Sequence, residues 1–301
     1  LKPYIQQFKL FDDIGKECSF IPSATSWHGT ATALAIYNFA PKAKLYSAAV
    51  INSGHIYSRI LSGLDWMLEL PVKVVSMAIG FNTIIPLFEK HLKKLHDKGV
   101  LIVIPSGNGG TAKSYTPAWS PYVLTVGAYD KNKQPSEFSS AIHTPEGACI
   151  KPEILALENF KQLKGTSFAS SYVAGKAATI WQQHPEWNLE QIKSFIIRQA
   201  EPIDKPLDYK AKYGFFDLEK PLLFPKNNQN DLLTTTNTIF NPPKNEPFID
   251  PYLLKTIDAY LDHAELHVLV TWKTGVPKKI TKKINRKIRK KMLINNNHNL
   301  Y

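Results

Sequence analysis

The sequence predicts an α/β protein in which helices cover both faces of a parallel sheet. Residues 29–223 alternate between short, branched apolar runs and longer amphipathic stretches. This order is typical of strand–helix–strand units with right-handed crossovers. The chain has 301 residues, of which 44% are hydrophobic, enough for a large buried core. No apolar run reaches the roughly 18 residues that span a bilayer, which argues against a membrane-spanning protein.

Four apolar runs have the composition of strands that are buried on both faces. They are Ala43–Ile51, Val72–Ile79, Val100–Ile104 and Val123–Ala128. Between them, Tyr57–Leu70 and Pro86–His96 place apolar residues at three- and four-residue spacing, which predicts helices. In a parallel sheet of this kind, polar chemistry collects at the carboxyl ends of the strands.

The composition of the chain changes after Pro225. We interpret residues 1–224 as one α/β domain and residues 225–301 as a linker followed by a basic tail. Residues 227–247 carry Asn, Thr and Pro with little periodicity, as linkers do. Residues 277–292 hold nine Lys or Arg and no acid, and within them Ile280, Ile284, Ile288 and Met292 recur every four residues. This pattern predicts a basic amphipathic helix.

The positive charge is concentrated in that tail. The chain has 37 basic and 25 acidic residues, a net charge of +12, and residues 226–301 contribute +7 of it. A solvated charge run is the default interpretation of such a segment. Binding to an anionic membrane surface is the second interpretation, because the isoleucine stripe adds an apolar edge. A nucleic-acid partner is disfavoured, because no aromatic residues interleave with the charges.

The cysteines and the first residues bound the cellular context. Cys18 and Cys149 allow at most one disulfide and lack the spacing of zinc ligands, so two buried thiols are favoured. The chain opens at Leu1 with no charged-then-apolar targeting segment. We therefore expect that an upstream region has been removed. Location stays open, with secretion or export as the working guess.

Three segments join a reactive side chain to small residues. Ser167 lies in Gly165–Gly175, between a glycine turn and a run that can open a helix, where a serine can act as a nucleophile. His28 precedes small residues and then an apolar helix, a place for a general base. Asn108 follows the apolar run Ile102–Ile104 between glycines, where its amide can donate to a developing oxyanion. Each alone has an ordinary alternative: a helix N-cap, a core or surface histidine, and an Asn-Gly turn.

Taken together, the three segments resemble those of the subtilisin-like serine proteases, the subtilases. The family's Gly-Thr-Ser-x-Ala-x-Pro-x-Val-Ala-Gly box is matched at Gly165–Gly175, except that Ser171 stands where proline is usual. The resemblance covers about residues 13–222. Further similar segments are Ala40–Tyr46, Ser53–Trp66, Val74–Gly80, Ser120–Ala128, Phe138–Ser140 and Tyr213–Asp217.

The resemblance implies a role for each candidate residue. Ser167 corresponds to the nucleophile, His28 to the general base and later general acid, and Asn108 to the side-chain oxyanion donor. The aspartate that orients the imidazole is expected in Asp-Thr/Ser-Gly after an apolar strand, which Asp13-Ile14-Gly15 fits. Asp12 is the competing candidate. The implied fold is subtilisin-like, with three layers.

The implied activity is serine endopeptidase chemistry through an acyl-enzyme, on protein or peptide substrates. Only 14 residues separate Asp13 from His28, about half of what the family usually has. A catalytically inactive binding module with the subtilase fold is therefore the alternative. An esterase or acyltransferase with the same triad is a third reading, because acyl chemistry does not itself demand a peptide.

The resemblance also suggests where substrate binds and what the site lacks. Substrate contacts are expected from Ser53 and Gly54, from the wall segment Ala78, Ile79 and Gly80, and from Tyr115. Tyr115 falls near a pocket position that is often glycine, which favours small P1 side chains.

The short stretch from His28 to Ala40-Pro41 lacks the family's Asn-rich calcium loop, so we expect no high-affinity calcium site, no other metal and no cofactor. Ala156-Leu157-Glu158 replaces the usual Ala-Pro-Gly.

Overall fold

The elements that place the candidate residues are given by a computed structural model, which describes residues 5–19, 28–51, 56–81, 85–110, 116–143, 149–160, 163–203 and 211–224. The strands are β1 Ile5–Phe11, β2 Glu17–Cys18, β3 Leu45–Ala49, β4 Val74–Ser76, β5 Leu101–Pro105, β6 Val123–Tyr129, β7 Ile142–His143, β8 Cys149–Lys151, β9 Ile154–Leu157, β10 Asn159–Phe160, β11 Leu163–Lys164 and β12 Gly214–Phe215. The helices are α1 His28–Phe39, α2 Ile56–Glu69, α3 Glu89–Asp97, α4 Thr166–Gln183 and α5 Leu189–Arg198.

Among the described residues, the largest sheet has five parallel strands in the order β12-β9-β6-β5-β4. Successive side chains of its interior strand β5 enter two different cores, because side chains alternate across a strand. Leu101 and Val103 pack with α1, α4 and α5, whereas Ile102 and Ile104 pack with α2 and α3. Helices therefore cover both faces, and the predicted three-layer α/β fold is confirmed.

The predicted strand at residues 43–51 forms as β3, but it pairs with β1 and not with the five-stranded sheet. β1 runs parallel to β3 and antiparallel to the two-residue strand β2. Along β1, Phe11 is buried whereas Phe8 is half exposed. β1 is more open to solvent than a strand between two helical layers, since its polar residues Gln6 and Gln7 are exposed.

Helices α1 and α4 lie in direct backbone contact, and Gly175 makes this possible. A Cβ at Gly175 would lie 2.6 Å from the carbonyl oxygen of Ile36 and 3.1 Å from the Cβ of Phe39. Ala35, next to Ile36 in α1, is fully buried. Because α1 begins at His28 and α4 carries Ser167, this contact sets the distance between the two candidate catalytic helices.

We expect Gly175→Ala to destabilise the protein, although alanine is the better helix former. The propensity gain is about 1 kcal/mol, whereas pushing a backbone carbonyl aside costs about 1–3 kcal/mol. Urea unfolding measures the balance. Gly29→Ala, in α1 where the described residues place no heavy atom from outside the local helix within 4 Å of the added Cβ, is the matched control and should be neutral or stabilising. Equal effects of the two changes would show that the helix contact is not tight.

The tail lies outside the described residues. The predicted domain boundary at residue 224 and the predicted basic helix at residues 277–292 therefore stay predictions, as does a membrane-surface role for that helix. In the described ranges, none of the helices is both long and apolar enough to cross a bilayer.

Candidate active site

Ser167 lies in the first turn of α4, where the chain leaves a hairpin and enters the helix. The residue before the helix is Gly165, whose φ of +153° is a backbone conformation that side chains rarely allow. Its N–H donates to the carbonyl oxygen of Glu158 at 2.9 Å. Ser167 is half-buried, and its own N–H makes no hydrogen bond in the described part of the chain. First-turn N–H groups lack helical acceptors, so this donor is open to a ligand.

Asn108 is hydrogen-bonded to Thr166, the residue that precedes Ser167. Its Oδ1 accepts the backbone N–H of Thr166 at 3.0 Å and the hydroxyl of Thr166 at 2.9 Å. The N–H of Gly107 reaches the same hydroxyl oxygen at 3.3 Å. With Oδ1 used in this way, the amide presents Nδ2, which lies 3.5 Å from the position of a Cβ on Gly165. The donor side of the amide therefore faces the start of α4.

His28 of α1 lies near the start of α4. It is the first residue of α1, and its ring centroid lies 5.9 Å from that of Phe168, the residue after Ser167. Partial burial lowers the pKa of His28 below its ordinary value of 6.5, because desolvation disfavours the imidazolium. A neutral imidazole is the form that can accept a proton.

Asp13 follows β1, and its carboxylate contacts a residue of α2. Its Oδ1 accepts a hydrogen bond from Nη2 of Arg59. The carboxylate of Asp12 caps its own turn instead, since its Oδ1 accepts hydrogen bonds from the backbone N–H groups of Ile14 and Lys16 at 3.1 and 2.8 Å. Asp13 thus remains the candidate acid of the pair. Within the described residues, Asn108 contacts Thr166 and His28 lies beside Phe168, the two chain neighbours of Ser167, and the contacts include none between Asp13 and His28.

The predicted substrate-side residues are described in part. Ala78, Ile79 and Gly80 follow β4 beside the end of β5, where the N–H of Met77 donates to the carbonyl oxygen of Val103 at 3.0 Å. Ala78 and Ile79 are partly buried and Gly80 is exposed. Ser53, Gly54 and Tyr115 lie outside the described residues, so their roles stay predictions.

Three residues of the site were missed by the sequence reasoning. Thr166 anchors Asn108, Arg59 contacts Asp13, and Glu158 supports the turn before α4. Oε2 of Glu158 accepts the hydroxyl of Ser136 at 2.6 Å, and its Oε1 lies 2.5 Å from Nζ of Lys164. Arg59 is the lone cation in residues 57–70, but an arginine in an amphipathic helix usually extends its charge into water.

In the described part of the chain, the other side chains that could act as nucleophiles or metal ligands are less suited to chemistry than those around Ser167. Cys18 and Cys149 are free and partly buried, less deeply placed than predicted. Burial raises the pKa of Cys149 to about 12, so its thiolate is scarce at neutral pH. The described ranges hold no cluster of three His, Cys, Asp or Glu side chains that could bind a metal ion.

The lowered pKa of His28 predicts the pH dependence of any reaction that uses it as a base. Catalysis by a neutral imidazole falls as pH drops through its pKa, so the acid limb of kcat/KM should have its midpoint below 6.5. A pH–rate profile on a peptide without titratable groups measures this midpoint. A limb centred above 6.5 would contradict the prediction.

Comparison with known proteins gives a family match and a set of solved structures with the same fold. Residues 20–231 match the model of the Subtilase family, a stretch that begins after Asp13. Subtilisin E of Bacillus subtilis (strain 168) is 30% identical over 201 residues, which is 58% of this chain and 52% of that protein. Subtilisin DY of Bacillus licheniformis is 30% identical over 181 residues, 55% of this chain and 65% of that protein. The chain spans about half to two thirds of the length of these relatives.

Two solved structures show the likeness in three dimensions. A lanthipeptide protease has a TM-score of 0.59 at 20% identity, covering 72% of this chain and 80% of its own. The self-cleaved protease domain of PatA has a TM-score of 0.56 at 22% identity, covering 70% and 85%. At these identities the likeness concerns the fold.

Proposed function

Because the chain belongs to the subtilase family, we propose that it is a serine endopeptidase that cleaves proteins or peptides through an acyl-enzyme. The observation that carries the proposal is that two elements contact the residues before and after Ser167 in the chain. Asn108 is hydrogen-bonded to Thr166, and the ring of His28 lies beside Phe168. A nucleophile, a base and an oxyanion donor are what acyl transfer needs.

In the proposed reaction, Oγ of Ser167 attacks the peptide carbonyl while the imidazole of His28 takes its proton. The tetrahedral oxyanion is held by Nδ2 of Asn108 and the backbone N–H of Ser167. His28 then protonates the leaving amine, and the C–N bond breaks to give the acyl-enzyme and a free amine. Water, deprotonated by His28, attacks the ester and releases the acid and Ser167. Asp13 is proposed to stabilise the imidazolium during both halves.

A fluorophosphonate probe and a peptide library test the proposal. We expect the probe to label the wild type on Ser167 and to leave Ser167→Ala and His28→Ala unlabelled. Ser194→Ala, in α5 and away from the site, is the matched control and should label as the wild type does. Cleavage of the library separates an endopeptidase from an esterase. A folded wild type that is neither labelled nor active would instead support the inactive binding module.

A further inference from the structure

Arg59 is a buried cation with an unusually poor set of partners. It is the fourth residue of α2 and is 4% exposed. Nη2 donates to Asp13, whereas Nε and Nη1 are buried without a hydrogen-bond partner in the described part of the chain. Arginine is almost never buried unless it is paired, because removing a charge from water costs several kcal/mol. The carboxylate of Asp13 is the group that offsets this cost.

Close docking of the turn after β1 on α2 brings the pair together. Gly15 has a φ of +83°, and a Cβ there would overlap Oγ of Ser62 and lie 3.1 Å from the carbonyl oxygen of Ser58. Both serines flank Arg59 in α2. The turn therefore lies directly on the first two turns of this helix, with Asp13 against Arg59. The side chain of Asp13 is still 51% exposed, so one side of the carboxylate is open to another partner.

We infer that Arg59 is a positioning residue for Asp13, an inference that rests on the proposed function. Its guanidinium holds one carboxylate oxygen and leaves the other for the imidazolium of His28. The positive charge of Arg59 also offsets part of the negative charge of Asp13, and so limits how strongly Asp13 stabilises protonated His28. The basicity of the catalytic imidazole is then set through a residue that never touches it.

Several other charged groups of the described elements have contacts of their own. In the turn, Asp12 binds backbone N–H groups, and Glu17 of β2 pairs with Lys9 of β1 at 2.7 Å. In α4, which packs against α1, the charged residue is Lys176, and it lies at the far end of α1 over Phe39.

Proton NMR of the His28 ring tests the inference in the resting protein. The ring signals are assigned by their loss in His28→Gln, and are titrated in the wild type, Arg59→Met and Arg59→Lys. We expect Arg59→Met to raise the pKa of His28 by about 0.5–1 unit, the shift for removing a charge several ångströms away. Arg59→Lys retains the charge and should titrate as the wild type does. Methionine has a similar volume, and such replacements of buried charges are well tolerated.

A second background separates coupling through Asp13 from a general change in structure. In Asp13→Asn, adding Arg59→Met should raise the pKa of His28 by clearly less than it does in the wild type, because only the direct effect of the guanidinium charge remains once the carboxylate is gone. An unchanged pKa in Arg59→Met alone, or an equal rise in the Asp13→Asn background, would overturn the inference. Because the titration does not require turnover, its result stands apart from fluorophosphonate labelling, which tests the proposed function.

Discussion

Asn108→Asp should lower kcat by at least about 10²–10³ with little change in KM, the magnitude known for losing one oxyanion donor in subtilisin-type enzymes. Aspartate retains an oxygen at the position of Oδ1, so the hydrogen bonds from the N–H and hydroxyl of Thr166 can persist. The donor Nδ2 becomes a second carboxylate oxygen, which cannot stabilise a developing negative charge. Steady-state kinetics on a fluorogenic peptide measure the loss.

The control for this change is Thr166→Val, which removes the hydroxyl but keeps the backbone N–H that holds Oδ1. We expect a loss of less than about tenfold, because one hydrogen bond that orients the amide remains and the net worth of the other is about 1 kcal/mol. Thermal unfolding establishes that both variants fold. If folded Asn108→Asp turned over at the wild-type rate, the oxyanion role of Asn108 would be wrong.

Glu153→Gln should destabilise the protein by about 3–5 kcal/mol, the usual cost of breaking a buried ion pair from one side. Glu153 and Lys151 are almost fully buried, with Nζ and Oε1 2.5 Å apart. Oε2 of Glu153 also accepts the N–H of Thr125 at 2.8 Å. Burial already lowers the pKa of Lys151, and Glu153 is the nearest group that favours its charged form. Without Glu153, the lysine is either charged and unpaired or neutral, and both states weaken the folded protein.

For a domain of this size, such a loss lowers Tm by about 6–20 °C, which calorimetry or circular dichroism detects. Lys151→Met combined with Glu153→Gln should recover most of the stability, because no unpaired charge remains. Asp97→Asn, which breaks the exposed pair Lys93–Asp97 on α3, is the matched control and should cost less than about 1 kcal/mol. Equal effects of the buried and exposed changes would contradict the prediction.

The elements with a strong local pattern were predictable from sequence. Residues 100–104 and 123–128 are continuous apolar runs, and β5 and β6 lie there with every residue buried. The run at residues 72–79 forms a shorter strand, Val74–Ser76, because the ladder to β5 covers just these residues. The predicted helix at 86–96 begins with one 3₁₀ turn at Pro86–Phe88 before α3. The remaining difference, the pairing of β3 with β1, depends on neighbours that an apolar pattern does not specify.

Among the candidate site residues, Ser167, His28 and Asn108 were recognisable from sequence because each stands beside glycine or other small residues at the start of a helix or the end of a strand. Thr166 and Arg59 were not recognisable as partners. Arginine in an amphipathic helix usually extends its charge into water, and nothing in the local pattern distinguishes one that is buried against a carboxylate.

The amino-acid sequence by itself determined which segments become strands and helices, which of their faces are apolar, and which reactive side chains stand at their ends. Local periodicity carries this information because it depends on neighbours a few residues apart. The tertiary structure alone decided the partners: Asn108 binds a residue 58 positions away, and Arg59 contacts an aspartate 46 positions away. Such pairs form where separate elements dock, and docking depends on close contacts such as that of Gly175 against α1, which no local pattern records.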